Sequence, residues 1–166
     1  MTPAARLSAA IEVFTDIEAR RRPAGDTLKD WGLSHRFAGS GDRAAIAGLV
    51  YDALRRKSSS AWLMGDASPR AVLVGMLRRE RGLDLAAIEA LCNGARYAPA
   101  SLTDAEKAAL SSEVLADAPA PVQGDYPDWL DAQLERVFGD ERAAEGAALS
   151  SRAPVRARFT TTAISR

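Results

Sequence analysis

The sequence predicts an all-α protein built as one helical bundle, and three observations carry that expectation. Alanine, leucine, glutamate and arginine, the residues of lowest cost in a helix, dominate the chain. Runs of β-branched residues are nearly absent until the last dozen positions. Apolar residues recur at three- and four-residue steps between short Gly, Pro, Ser and Asp breaks, the spacing of one helix face.

The first helix is expected from Pro3 to Arg21, with Leu7, Ala10, Ile11, Phe14 and Ile17 as its apolar stripe and Pro3 suited to the first turn. Pro23, Ala24 and Gly25 stop it. A short helix follows over Thr27–Trp31, with Gly32 as its C-terminal cap. The clearest segment begins near Arg43, capped by Ser40 or Asp42. Ile46, Leu49, Val50, Ala53 and Leu54 form its buried stripe, and Arg43, Asp52, Arg55, Arg56 and Lys57 occupy the other faces. Ala61–Met64 extends the pattern as a further helix after three serines. Ser68-Pro69 is a cap followed by a first-turn proline, and it opens a helix that buries Val72, Leu73, Met76 and Leu77 and ends at Gly82.

Asp84 starts the next helix, with Leu85, Ile88, Leu91 and Cys92 inward and Gly94 ending it. Thr103-Asp104-Ala105-Glu106 has the spacing of a capping box. Ala116–Gly124, which contains Pro119 and Pro121, reads as a loop or linker. Tyr126-Pro127 opens a helix with Trp129, Leu130, Leu134, Val137 and Phe138 apolar, and a last helical stretch covers Glu141–Leu149. From Ser151 the chain turns basic. Val155–Ile164 has extended character but no partner strand upstream, and the tail is expected to be disordered. The organisation expected is a helical domain over 1–121, a helical connector over 122–150 and a basic tail over 151–166.

The 166 residues are 47% apolar and 27% charged, an ordinary globular composition. Area scaling leaves about two-thirds of the surface buried at this length, enough for one core. No apolar stretch is long enough to span a bilayer, and Met1–Phe14 lacks the apolar region of a secretory signal, so a cytoplasmic location is expected and no membrane partner. One Cys and one His exclude an internal disulfide and the usual Cys/His zinc site.

Catalytic patterns are mostly absent. Gly39-Ser40-Gly41-Asp42 follows no strand and precedes no Lys-Ser/Thr, so it is not a nucleotide loop, although a helix start there could take one phosphate oxygen. His35 has no nucleophile at motif spacing. Cys92 reads as a small buried hydrophobe, and Asp128 with Asp131 as a solvated pair. Trp31, Trp62 and Trp129 read as core or interface anchors rather than base-stacking platforms.

Charge is balanced in total, 22 basic against 22 acidic residues, but unevenly placed. Residues 1–96 carry 15 basic and 11 acidic side chains, residues 97–150 carry 3 and 11, and the tail adds 4 arginines. The basic residues come in runs at expected helix C-termini: Arg20, Arg21 and Arg22; Arg55, Arg56 and Lys57; Arg78, Arg79 and Arg81. Each run complements a helix dipole. If the helix ends meet, the same runs with Arg43 make a phosphate-binding patch, and these ten residues are its candidate contacts.

Asp42-Arg43-Ala44-Ala45-Ile46-Ala47-Gly48-Leu49-Val50-Tyr51-Asp52-Ala53-Leu54-Arg55-Arg56 resembles the central helix of NusB-like domains. Tyr126-Pro127-Asp128-Trp129-Leu130, Phe138-Gly139-Asp140-Glu141 and Arg152-Ala153-Pro154 resemble the connector to the catalytic part of bacterial Fmu/Sun-type rRNA cytosine-5 methyltransferases. The resemblance covers about residues 3–155. It implies a NusB-like helical bundle that binds and positions small-subunit rRNA during rRNA processing and contacts a methyltransferase domain. S-adenosylmethionine is the expected cofactor of the full-length family.

This chain holds neither the cofactor loop nor a Pro-Cys catalytic motif. It is therefore expected to bind no cofactor, to have no catalytic residue and to be inactive alone. The sequence after Arg152-Ala153-Pro154 departs from the family's, and of the arginine-rich N-terminal motif of NusB proteins only Arg6 remains nearby. The alternatives are a free-standing NusB-type antitermination factor and a helical protein–protein adaptor that docks a basic partner on acidic segment 97–150.

Overall fold

A computed structural model describes residues 1–112 and 114–152, with the backbone alone for Val114. The expected extended stretch of the tail lies outside the described residues. The protein is all-α, and no strand occurs among the described residues. Nor is any described helix long and apolar enough to cross a membrane.

α1 (Pro3–Arg20) starts on a Thr2 side-chain cap and ends with Arg21 in the left-handed region. It buries Leu7, Ala10, Phe14 and Ile17 as expected, together with Ala9 and Val13. α2 (Ala24–Ser34) is longer than the sequence suggests. Gly32 does not cap it but lies buried inside it, because the Arg43 side chain packs 3.4 Å from where a Cβ would stand. α3 (Ser40–Arg55) is capped by neither Ser40 nor Asp42; Gly39 precedes it. Asp42 instead accepts from Arg6 Nε at 2.8 Å and from the Met1 amine at 3.2 Å, and these bonds hold its carboxyl below the usual range.

The three serines do not interrupt the next helix. α4 (Lys57–Met64) contains them, with Ser59 and Ser60 fully buried. α5 (Pro69–Arg79) starts on the Ser68 cap as expected, but its burial is not a stripe: every residue of Ala71–Leu77 is buried. α5 is thus a central helix covered by α1, α3, α4 and α6 (Leu85–Leu91). α4 lies so close that a Cβ on Gly75 would stand 2.7 Å from the Ser60 carbonyl oxygen.

Asp84 caps α6, and Cys92 is buried, its thiol pushed up by burial. The Thr103–Glu106 capping box opens α7 (Asp104–Leu110). Glu106 also receives Arg70 Nε at 2.7 Å, which ties α7 to the start of α5 and lowers the carboxyl's pKa.

The expected linker is helical in two pieces: a 3₁₀ turn over Val114–Asp117, then α8 (Ala120–Gly124). The 121/122 boundary read from the sequence therefore falls inside a helix. A 3₁₀ turn over Asp128–Leu130 leads into α9 (Asp131–Phe138), and a turn over Gly139–Glu141 leads into α10 (Arg142–Leu149). The Tyr126 ring is wedged between Gly124 and Gly146, neither of which leaves room for a Cβ. Its hydroxyl donates to Asp131 at 2.7 Å; burial and this bond push its pKa up to about 12. Asp131 also takes Arg142 at 3.0 Å, so the pair Asp128 and Asp131 is not simply solvated.

Two consequences are measurable. Gly75→Ala should cost about 1–3 kcal/mol by overpacking, read from urea denaturation. Gly48→Ala lies in a helix where a Cβ meets only Arg81 at 3.5 Å, and it should gain about 0.5–1 kcal/mol. The second concerns acid. Glu106 has a lowered folded pKa, so its contribution is present above the unfolded value near about 4.3 and is lost as pH falls through the folded value. The urea-midpoint deficit of Arg70→Met should therefore be largest above about pH 5 and shrink below about pH 4.

Candidate functional site

The relative direction of three helices decides where the basic runs go. At one end of the bundle Asp42 of α3 meets Arg6 and Met1 beside α1, and at the other Lys57, just past α3, meets Glu18 of α1 at 2.5 Å. α1 and α3 are therefore parallel. Arg56 meets Glu80, just past α5, at 2.7 Å, and Arg81 pairs with Asp52 in the last turns of α3. α5 thus ends where α3 ends. The C-termini of α1, α3 and α5 share one end of the bundle, and the three runs come together there.

Their charges do not simply add. Arg20 pairs with Asp16 at 2.8 Å, and Arg22 pairs with Asp30 at 2.6 Å, a bond that raises its pKa. Asp52, placed on an outer face by the sequence reading, is buried with Arg55, Arg81 and Arg152 around it. Arg56 is the most committed. Besides Glu80, it reaches Asp125 at 3.6 Å, Ser150 Oγ at 2.5 Å and Ser151 Oγ at 3.3 Å. The Asp125 side chain is itself buried; the residue takes a left-handed conformation just past α8, and its carboxylate accepts from Ser59 N at 2.8 Å and Ser59 Oγ at 2.6 Å. One arginine therefore joins the α3–α4 corner to the ends of α5, α8 and α10.

Other members of the set remain more open. Arg21 is exposed and has no hydrogen bond or ion pair among the described residues. Arg79 has no acid in hydrogen-bonding reach among the described residues. Partial burial lowers its pKa, Asp125 opposes that, and Arg56 adds to it. Arg78 spans 3.5 Å to the Leu83 carbonyl. Arg43 stands apart, bonded to the Ala38 carbonyl at 2.9 Å at the opposite end, where α3 begins.

That opposite end holds a feature the sequence reading missed. A cleft of about 770 Å³ opens between the start of α1, the end of α2 and the loop after α6. Trp31 forms its floor and is buried; His35 stacks on it at 4.2 Å between ring centroids. The His35 Nδ1 donates to the Trp31 carbonyl at 2.9 Å, and Phe37 meets His35 edge-on at 5.7 Å. Arg96 lies over the Tyr97 ring at 4.9 Å. Phe37 and Tyr97 are 73% and 68% exposed. No periodicity marks these side chains, because loops carry four of the five.

Of the other tryptophans, Trp62 is partly exposed and Trp129 mostly so. With Val137 and Leu149, Trp129 leaves exposed apolar surface on the α9–α10 segment. No protein-family model, curated protein or solved structure matches this chain.

Removing Arg56 leaves Asp125 and Glu80 without their shared cation. Arg56→Ala should cost about 3–5 kcal/mol in urea denaturation, whereas Arg79→Ala should stay within about 0.5 kcal/mol of the parent.

Proposed function

We propose that this chain is a NusB-like RNA-positioning domain that acts in the cytoplasm on small-subunit rRNA. It would serve a catalytic domain of the Fmu/Sun rRNA cytosine-5 methyltransferase type, to which its motifs bear a resemblance. The observation that carries the reading is the meeting of three basic helix ends at one end of the bundle, with Arg21 and Arg79 not spent on internal ion pairs among the described residues. Exposed pairs such as Arg20–Asp16 are weak, so a phosphate can compete for the guanidinium. Contacts of this kind neutralise the backbone and set orientation without reading sequence. Arg56 and Arg55 act differently. They hold the surface together, so their neighbours present charge from a fixed frame.

Methyl transfer is assigned to the catalytic domain and its S-adenosylmethionine; the part played by this chain is to hold RNA. The exposed Trp129, Val137 and Leu149, set among acidic side chains, suit contact with that domain. The same surface favours a second reading, a helical adaptor for a basic protein partner.

Binding of labelled small-subunit rRNA fragments across a salt series separates the two. Four to six phosphate contacts give a log–log slope of about −3 to −4 for single strands. Changing both Arg21 and Arg79 to Ala should reduce that slope by about 1 to 1.5. Salt-independent binding, or none at low salt, overturns the RNA reading and leaves the adaptor.

A further inference from the structure

We infer that the aromatic cleft between α1, α2 and the loop after α6 is a stacking site for an unpaired nucleobase of RNA. This rests on the RNA reading of the bundle, and it adds a second kind of contact at the end away from the three basic runs.

The cleft is built rather than incidental. Phe37 is held by the Ala38 N–H to His35 carbonyl bond at 3.0 Å and by Arg43 on the Ala38 carbonyl. Tyr97 sits at φ +69°, a left-handed conformation that is costly for a bulky side chain. The loop keeps it there through three bonds. Gly94 N–H reaches the Pro99 carbonyl at 3.0 Å, Ala98 N–H the Ala95 carbonyl at 2.9 Å, and Ala95 N–H the Asn93 side chain at 2.9 Å. A strained backbone that holds an aromatic ring out in water is the reverse of what folding alone favours. Beneath, the Trp31 indole N–H is buried and finds no acceptor among the described residues.

The charges select the ligand. Arg96 lies over the Tyr97 ring, most of which is open to solvent, and Arg36 stands exposed between His35 and Phe37. Glu12 lines one wall and is itself exposed. Cations beside exposed aromatic rings favour a flat group stacked on the rings with its phosphates on the arginines. A nucleobase in a single strand has that chemistry, and aromatic rings beside arginines are how single-stranded RNA is bound without a fixed sequence. A duplex, whose bases are already stacked, does not fit.

The test uses the full 166-residue chain and two labelled RNA decamers, one of adenosine and one with the same backbone but abasic sugars. The expected result is that the chain prefers the decamer with bases, and that Phe37→Ala and Tyr97→Gly each weaken its binding about tenfold. The salt slope stays as in the parent, and abasic binding does not change. Phe37 is exposed, and glycine suits the left-handed position 97, so neither variant threatens the fold.

Equal affinity for both decamers overturns the inference and leaves RNA positioning by the basic end intact; so do variants that bind like the parent. If neither decamer binds at low salt, a titration with adenosine monophosphate, read from the NMR shifts of the Phe37 and Tyr97 rings, decides. Shifts confined to the cleft keep the stacking site while the RNA-positioning reading fails. No shifts, or shifts only with an aromatic peptide, overturn the stacking site as well.

Discussion

Seven consecutive buried residues in α5, Ala71–Leu77, mean that this helix has no face to give to water, and the rest of the bundle is arranged by the need to cover it. A helix buried all round cannot lie at an edge. α4 approaches it most closely, at a crossing that only the missing side chain of Gly75 permits. α1 and α3 cover other sides and run parallel to each other and to α5. That shared direction, more than any individual arginine, brings three basic helix ends to one place.

Helix C-termini concentrate partial negative charge on unpaired carbonyls, so cations there have local work before they meet any ligand. The bundle goes further and interleaves acids. Asp52 gathers Arg55, Arg81 and Arg152, and Asp125 with Glu80 holds Arg56. The surface that results is a braced one. Some arginines form the brace, and others, Arg21 and Arg79 among them, extend from it. A count of basic residues does not separate those two groups; burial and partner geometry do.

The all-α class, most helix starts and the core residues of α1, α3 and α5 were legible because periodicity and capping are local properties of the chain. Ser68-Pro69 and the Thr103–Glu106 box acted as read. Failures came where tertiary packing overrode a local preference. Ser59 and Ser60 look like a break, yet Asp125 satisfies Ser59 from 66 residues away. Gly32 looks like a stop, yet it makes room for Arg43. Asp52 looks solvated because its arginine at position 81 lies beyond any local window. The meeting of the basic runs was posed by the sequence but depended on helix direction. The aromatic cleft was not legible, since loop residues far apart in the chain build it.

The wedge of Tyr126 between Gly124 and Gly146 has a consequence of another kind. Three positions, two of them 22 residues apart, share one volume, so none can drift alone. A methyl group at either glycine collides with the ring, and a smaller side chain at 126 opens a void and strands Asp131 and Arg142 without its hydroxyl. Across descendants of this chain the three should be inherited as a unit or exchanged together. That makes them a sharper mark of shared ancestry for the α8–α10 segment than its alanine-rich composition.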